Sequence, residues 1–304
     1  MRNNQFAQSA LWKHINETKL AKNQIKTMDN FKSSGVNFKL SLWNPQTNGV
    51  RYLKTLIYNL CANLDKNDWK IIRNIRNRNI GDPISVKYNG EDICLDYLQA
   101  LYELRFINKA ISLDNRNIVE IGAGYGRTCH ALMDNHKIRS YYIIDLENCL
   151  ELSRKYLKSA LSPSKFSRIK FVLADDMNRL EDAQFDLCLN IDSFAEMDQK
   201  VVKNYLDYIN QHCKYFYVKN PIGKYYDKSL DNHNQGLQMV KLALKTGILR
   251  EIVNIDDNRD ISMHAGKYMR AYLPGKKWSC LAKSWAPPWS YYWQAMYKKR
   301  RERK

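Results

Sequence analysis

Two groups of residues in this sequence have types and spacing suited to chemistry. The first is the stretch Asn190-Ile191-Asp192-Ser193-Phe194-Ala195-Glu196-Met197. Asp192 and Glu196 stand four apart, which on a helix puts both carboxylates on one face. Carboxylates can take a proton from a hydroxyl, and so can His233 or His264 further along. Each has a plainer reading. Asp192-Ser193 suits the cap of a following helix, and His233, within Asp231-Asn232-His233-Asn234, suits a solvent-facing loop. The second group is Glu120-Ile121-Gly122-Ala123-Gly124-Tyr125-Gly126-Arg127. An apolar strand, Ile118 to Ile121, runs into three alternate glycines, and a helix-compatible run follows from Thr128 to Met133. Such glycines permit a tight turn and close approach of backbone N–H groups to a ligand. The helix start beyond them suits an anionic group. A dinucleotide fingerprint would place glycine at position 127, where this chain has Arg127, so a nicotinamide oxidoreductase is disfavoured.

The elements that must position these groups follow from hydrophobic patterning. From residue 117 onward strands and helices alternate, the pattern of a parallel sheet with crossover helices. The strands are expected at 118–121, 140–144, 169–173, 185–190 and 214–219, and a last pair at about 249–255 and 268–273. A helix is expected over about 235–245, ending at Gly247. Before the sheet, helical spacing appears from Tyr52 to Leu60, over 65–80 and from Asp92 to Ala110. Asn89-Gly90 marks a hairpin after 84–88. The chain is therefore read as a mainly helical N-terminal cap over 1–110, a sheet domain over 111–275, and a tail over 276–304.

In an open parallel sheet, ligands bind at the carboxyl ends of the strands. Asp145 ends the second strand, where a carboxylate can accept both hydroxyls of a ribose. Asp175 and Asp176 end the third, within reach of an adenine amino group. Glu120 lies inside the first strand and needs a partner to be buried; Arg127 or a cationic ligand is expected to supply one.

Composition narrows the classes. Apolar residues make up 44% of the 304 residues, enough for a sizeable core. No apolar run reaches the length of a membrane span, and Met1 to Ala10 is polar, with no signal-peptide core. A cytoplasmic protein is expected, with peripheral contact at the inner membrane face as a further option. The seven cysteines include no C-x-x-C pair, which reads as reduced thiols rather than a disulfide or zinc framework. No tight carboxylate cluster calls for a metal. The net charge of +18 is uneven. Basic residues outnumber acidic ones 17 to 9 over residues 1–110 and 17 to 7 over 221–304, but equal them over 111–220. The excess either suits a polyanion, be it nucleic acid, membrane surface or charged glycan, or simply keeps the chain soluble. Trp278, Trp285, Trp289 and Trp293 beside the basic run 298–304 suit an interface with headgroups or a polyanion.

The stretches EIGAGYGR (Glu120 to Arg127), YIIDL (Tyr142 to Leu146), NIDSFAEM (Asn190 to Met197) and VKNP (Val218 to Pro221) resemble a sugar O-methyltransferase family of class I S-adenosylmethionine (SAM)-dependent enzymes. The resemblance covers roughly residues 80 to 273. It implies an α/β, Rossmann-like, seven-stranded, mostly parallel sheet whose final strand is antiparallel. By the same route Glu120, Gly122, Gly124, Gly126 and Asp145 would hold SAM. The candidate cofactor set is completed by Tyr125 and Arg127 in the turn, Asp175 and Asp176, and Asn190 beside the methionine moiety. His233 or Asp192 would then be the base and Glu196 would orient a sugar or glycan acceptor, free or phosphate-bearing. Two rivals stand beside this reading. One is an RNA methyltransferase, motivated by the charge but lacking an N/D-P-P-Y tetrad. The other is a non-catalytic SAM-fold subunit of a glycan-assembly complex.

Overall fold

A computed structural model of the chain describes residues 17–18, 45–228 and 236–300. The chain divides into two compact units, Met1–Ala62 and Asn63–Lys304. In the first, helix α1 spans Pro45–Ala62, the helix expected from the apolar spacing at Tyr52 to Leu60. Residues 63–110, expected to belong to an N-terminal cap, fold with the second unit.

That unit opens with α2 (Lys66–Asn74). Its start is fixed by Asp65, whose carboxylate accepts from the backbone N–H of Asn67 and Asp68, while the Asp68 carboxylate in turn accepts from Asp65 N–H. This reciprocal cap satisfies donors that a helix start leaves open. The hairpin β1 (Ser85–Tyr88) and β2 (Glu91–Cys94) turns at Asn89-Gly90 and leads into α3 (Leu95–Ala110).

The sheet follows: β3 (Asn117–Ile121), α4 (Arg127–Asn135), β4 (Ser140–Asp145), α5 (Glu147–Ala160), the short α6 (Pro163–Phe166) and β5 (Ile169–Leu173). Next come a 3₁₀ segment (Ala174–Leu180), β6 (Phe185–Ile191), a 3₁₀ turn (Ser193–Ala195), α7 (Gln199–His212) and β7 (Cys213–Pro221). The chain closes with α8 (Gly236–Ala243), α9 (Asn258–Ala271), β8 (Trp278–Trp285) and β9 (Tyr292–Lys299). The strands lie in the order β5-β4-β3-β6-β7-β9-β8. The first five are parallel, and β9 runs antiparallel between β7 and β8. The order reverses between β3 and β6. Since crossovers are right-handed, the helices before and after that point cover opposite faces. Central strands buried on both sides read as apolar runs, as in Ile118, Val119 and Ile121 of β3 and Leu187, Cys188 and Leu189 of β6.

The five expected parallel strands lie where the pattern put them. The last pair does not. Residues 249–255 form a loop with one β-bridge, Lys224 to Ile252. Residues 268–273 belong mostly to α9, which Asp257 caps by accepting from Arg259 N at 2.9 Å. The final two strands come from the stretch read as a tail. Trp278 is buried and Trp285 meets Trp293 edge-on at 4.5 Å, so these aromatic residues are largely spent on packing. The seven cysteines are all free thiols. Among the described residues, no helix is long and apolar enough to cross a membrane, and no group of His, Cys, Asp and Glu could hold a metal ion.

Candidate functional site

The strand-order reversal leaves a crevice outside the carboxyl ends of β3 and β6, the place where sheets of this kind bind ligands. A cavity of about 770 Å³ lies there. Gly122 and Gly124 form its floor, Asp145 and Asp175 its acidic wall, and Leu146, Met177, Met197, Val201, Tyr205 and Tyr208 its apolar one. The turn after β3 is tied to the next strand twice. Gly122 N donates to Ile144 O at 2.8 Å, and Gly124 N donates to Asp145 Oδ2 at 2.9 Å. Asp145 also accepts from Leu146 N at 2.8 Å, so its carboxylate is oriented before any ligand arrives.

Gly122 and Gly124 both have positive φ, +73° and +57°. A Cβ on Gly122 would sit 2.2 Å from Ser193 Oγ, whereas one on Gly124 would meet nothing within 4 Å. Gly122 is therefore required by packing against the β6 turn, and Gly124 borders open space where a ligand can come close to the backbone.

Several residues expected at the cofactor lie elsewhere. Glu120 is buried in the sheet and accepts from Tyr141 Oη at 2.7 Å. Burial pushes its carboxyl up to about 7. Its expected partner, Arg127, instead forms a two-pronged pair with Glu103 of α3, at 2.9 and 3.0 Å, and donates to Asp96 O. Tyr125 donates to Asp96 Oδ2 at 3.0 Å and stacks edge-on with Tyr156. Asp176 pairs with Arg179, leaving Asp175 as the carboxylate on the cavity wall. Asn190 is fully buried: its amide donates to Ile121 O and Ser193 Oγ and its carbonyl accepts from Asn220. It staples the ends of β3, β6 and β7 together rather than facing the cavity. Of the ten expected cofactor residues, then, Gly122, Gly124, Asp145 and Asp175 line this cavity.

A second cavity, about 560 Å³, opens beyond β6 and β7. Asp192, Glu196, Lys224, Tyr225, Tyr292 and Thr246 line it, with an apolar wall from α8 and the residues after it, including Met239 and Leu242. Asp192 has φ +70° and makes no side-chain cap, so the cap reading fails. The carboxylate instead accepts from Tyr292 Oη at 2.6 Å. A single 3₁₀ turn, rather than a face of a longer helix, brings Asp192 and Glu196 to the same cavity. Glu196 also lines the cofactor-sized cavity, so one carboxylate borders both spaces. Burial, and then the Asp192 charge, hold the Glu196 carboxyl above the usual carboxylate range. Burial lowers the Lys224 ammonium, whose Nζ donates to Ala195 O at 2.8 Å and Thr246 Oγ1 at 3.0 Å.

His233 lies outside the described residues. His264 sits on α9, paired with Glu251 at 3.1 Å, and borders neither cavity. Lys224 and Tyr292 were not singled out from the sequence. The strand-end rule could have found Lys224, which follows β7 within Ile222-Gly223-Lys224. Tyr292 becomes legible only once β9 is known to be antiparallel, because the register Pro221 to Tyr292 puts its start beside the end of β7.

A buried charge network backs the second cavity. Lys219 Nζ donates to Glu103 Oε1 at 2.8 Å, so Glu103 bridges Lys219 and Arg127 with all three nearly or fully enclosed. Burial pushes the Glu103 carboxyl up, but the two cations outweigh it and hold it below its usual value. Lys219 Nζ also lies 5.8 Å from the ring of Tyr292.

No family model matches the chain, and no curated protein does. Solved structures match at low identity. The methyltransferase domain of bacterial CtHen1 is 13% identical, over 67% of this chain and 98% of that one, with a TM-score of 0.45. The glycopeptide N-methyltransferase MtfA, complexed with S-adenosyl-L-homocysteine, is 12% identical over 65% of this chain and 89% of its own, TM-score 0.46. An O-methyltransferase family protein from Burkholderia thailandensis is 10% identical over 68% and 59%, TM-score 0.43. The assignment of fold rests on the strand order itself: five parallel strands reversing at β3 and β6, closed by an antiparallel final strand, make the class I methyltransferase fold that the resemblance implied.

Proposed function

We propose that the chain is a SAM-dependent methyltransferase acting on a hydroxyl of a sugar-bearing acceptor. One observation carries the proposal: Glu196 borders both the cavity built on the glycine turn and the second cavity beside it. The residues present fit the cofactor. Asp145 is oriented for ribose hydroxyls, Asp175 suits an adenine amino group, Gly124 leaves room at the turn, and Tyr205, Tyr208 and Met177 offer apolar surface to a purine. SAM, when bound, would supply a methyl on a cationic sulfur that departs as a neutral thioether.

The protein then has two tasks. Holding acceptor and methyl in line can remove roughly 7–11 kcal/mol of barrier. Taking the hydroxyl proton contributes roughly 10²–10⁴ in rate. Glu196, its carboxyl held above its usual value by burial and the Asp192 charge, accepts that proton, while Asp192 and Lys224 hold neighbouring hydroxyls. The Tyr292 bond keeps the Asp192 carboxylate aimed into the cavity. The sugar assignment rests on the EIGAGYGR and NIDSFAEM resemblance and on a lining that joins charged groups to the Tyr225 and Tyr292 rings.

The test is calorimetric titration with SAM and with NADH, followed by transfer of labelled methyl to a panel of free, nucleotide-linked and lipid-linked sugars. Micromolar SAM binding without NADH binding, and transfer lost in Glu196→Gln while SAM binding stays, is the expected result. Well-folded protein that binds no SAM overturns the enzyme reading and favours the scaffold rival. Transfer into RNA alone favours the other.

A further inference from the structure

The cavities above use the carboxyl ends of the strands, and the opposite edge of the sheet carries a separate feature. A groove of about 860 Å³ there is lined by Arg116, Lys214, Tyr215, Lys298, Lys299 and Arg300. These residues are remote in sequence, and the topology gathers them. Arg116 precedes β3 and Lys214 opens β7. Because β9 is antiparallel, its basic end returns to that same edge, with Lys298 opposite Tyr215. One carboxylate, Asp186, stands nearby, and it is already shared by Lys214 at 2.9 Å and Arg116 at 3.5 Å. Among the described residues, no carboxylate pairs with Lys298, Lys299 or Arg300.

We propose that this groove binds the phosphodiester backbone of a single-stranded nucleic acid, apart from the methyl-transfer site. Three observations select that ligand. Lys214 and Arg116 keep 67% and 33% of their side-chain surface exposed, and Lys298 and Arg300 are exposed as well. A small phosphate is held by buried, pre-aimed donors; exposed cations work instead by releasing counterions from a closely charged polymer. The cations line a concavity rather than a plane, which suits a strand more than a bilayer surface. Lys298 lies 5.8 Å from the Tyr215 ring, and Leu281, 45% exposed, lines the same groove, so apolar surface for bases sits among the charges. Seven strand steps from Lys214 to Pro221 separate the groove from the second cavity by about 23 Å. A diphosphate on a sugar acceptor does not span that distance. The groove therefore serves docking of a separate polymer, and its test is independent of the methyltransferase reading.

The experiment is fluorescence anisotropy of a labelled oligouridylate of about 12 nucleotides, within the span of known single-strand surfaces, titrated with the full chain. Neutralising three to five phosphates gives a fall in affinity of roughly 20- to 100-fold between 50 and 200 mM salt. The double variant K298E/R300E should lose at least about tenfold at low salt, since it removes two contacts and adds repulsion. K158E/K203E carries the same charge change on exposed positions of α5 and α7 and should stay within about threefold of wild type. Retained SAM binding or an unchanged melting curve certifies that each variant is folded. Equal losses in the two double variants overturn the proposal, because binding would then follow net charge alone. A weak salt response overturns it too, as does displacement of the strand by tripolyphosphate at micromolar concentration, which would mark a small-anion site. Capture by phosphatidylglycerol vesicles without strand binding overturns it in favour of a membrane surface.

Discussion

Gly122→Ala and Gly124→Ala separate packing from ligand approach at two neighbouring positions with similar backbones. Both glycines have positive φ, so each alanine carries a left-handed strain of roughly 1–2 kcal/mol. At Gly124 nothing else is added, because the new methyl meets no atom within 4 Å. At Gly122 the methyl would lie 2.2 Å from Ser193 Oγ and 2.4 Å from its Cβ. Ser193 must move, and with it go the bond to Ile121 O at 3.0 Å and the bond accepted from Asn190 at 2.7 Å. Leaving such enclosed groups unpaired costs about 1–3 kcal/mol. Gly122→Ala should therefore lose about 2–5 kcal/mol in all, and Gly124→Ala about 1–2 kcal/mol. In a chain of this size that corresponds to a drop in Tm of roughly 10 °C against a few degrees. SAM affinity should follow a different order, because the Gly124 methyl enters the space where the ligand meets the turn. Gly124→Ala should weaken SAM at least tenfold while staying folded. Paired melting curves and SAM titrations check both statements. Equal stability of the two variants would refute the Ser193 contact, and normal SAM binding by Gly124→Ala would refute the placement of the ligand.

Four further outcomes follow from the site and its supports. Glu120→Gln should raise stability above neutral pH. Burial pushes the folded carboxyl up to about 7 from the 4.5 of an ordinary glutamate, so the folded state holds the proton over that interval and wild-type stability falls as pH rises through it. That difference corresponds to a gain on the order of 3 kcal/mol at pH 8, seen as a flatter plot of unfolding free energy against pH for the variant. Asp145→Ala should weaken SAM by about 10- to 100-fold with little change in Tm, read by calorimetry, since a ribose loses a charged double acceptor. Glu103→Gln should cost about 3–5 kcal/mol, because it strips Arg127 and Lys219 of their shared anion, while Lys219→Met, which leaves the Arg127 pair intact, should cost less in the same urea titration. Methyl transfer should rise with pH as Glu196 ionises, over an interval above the ordinary carboxylate range, and Glu196→Gln should abolish that limb.

The parallel half of the sheet was legible because its residues obey one rule at a time. Ile118, Val119 and Ile121, Ile143 and Ile144, and Leu187 to Leu189 are buried on both faces, and burial on both faces leaves an apolar run bounded by polar loops. The antiparallel half obeys two rules at once. In Tyr292–Lys299 the middle residues Gln294 to Tyr297 are buried, whereas Lys298 is exposed, so aromatic, polar and basic letters mix and resemble an interface segment. Ile252 and Val253 look like strand residues, yet only a single bridge forms, because α9 starts at the Asp257 cap and takes the following residues away. At the site, the rule that ligands meet strand ends located Asp145, Asp175, Asp192 and Glu196. It does not tell which way a side chain points. Glu120 and Asn190 belong to the same motifs and yet turn into the protein, toward Tyr141 and toward Ser193 and Asn220.

The charge pattern has a direction that the net value hides. Along the strand axis, the carboxyl edge gathers Asp145, Asp175, Asp192 and Glu196, and the amino edge gathers Arg116, Lys214, Lys298 and Arg300. Within the neutral balance of residues 111–220, Asp145, Asp175, Asp192 and Glu196 stand at one edge and Arg116 and Lys214 at the other. The first edge suits a cofactor that carries a positive sulfur and an acceptor that must give up a proton. The second repels such a cation and draws anions. A polyanion held there lies about 23 Å from the chemistry, close enough to set where the protein works and too far to take part in the transfer. K298E/R300E should therefore leave methyl transfer to a small sugar acceptor unchanged while strand binding falls. A parallel loss of transfer would mean that the two edges are coupled, and the division of labour between them would have to be abandoned.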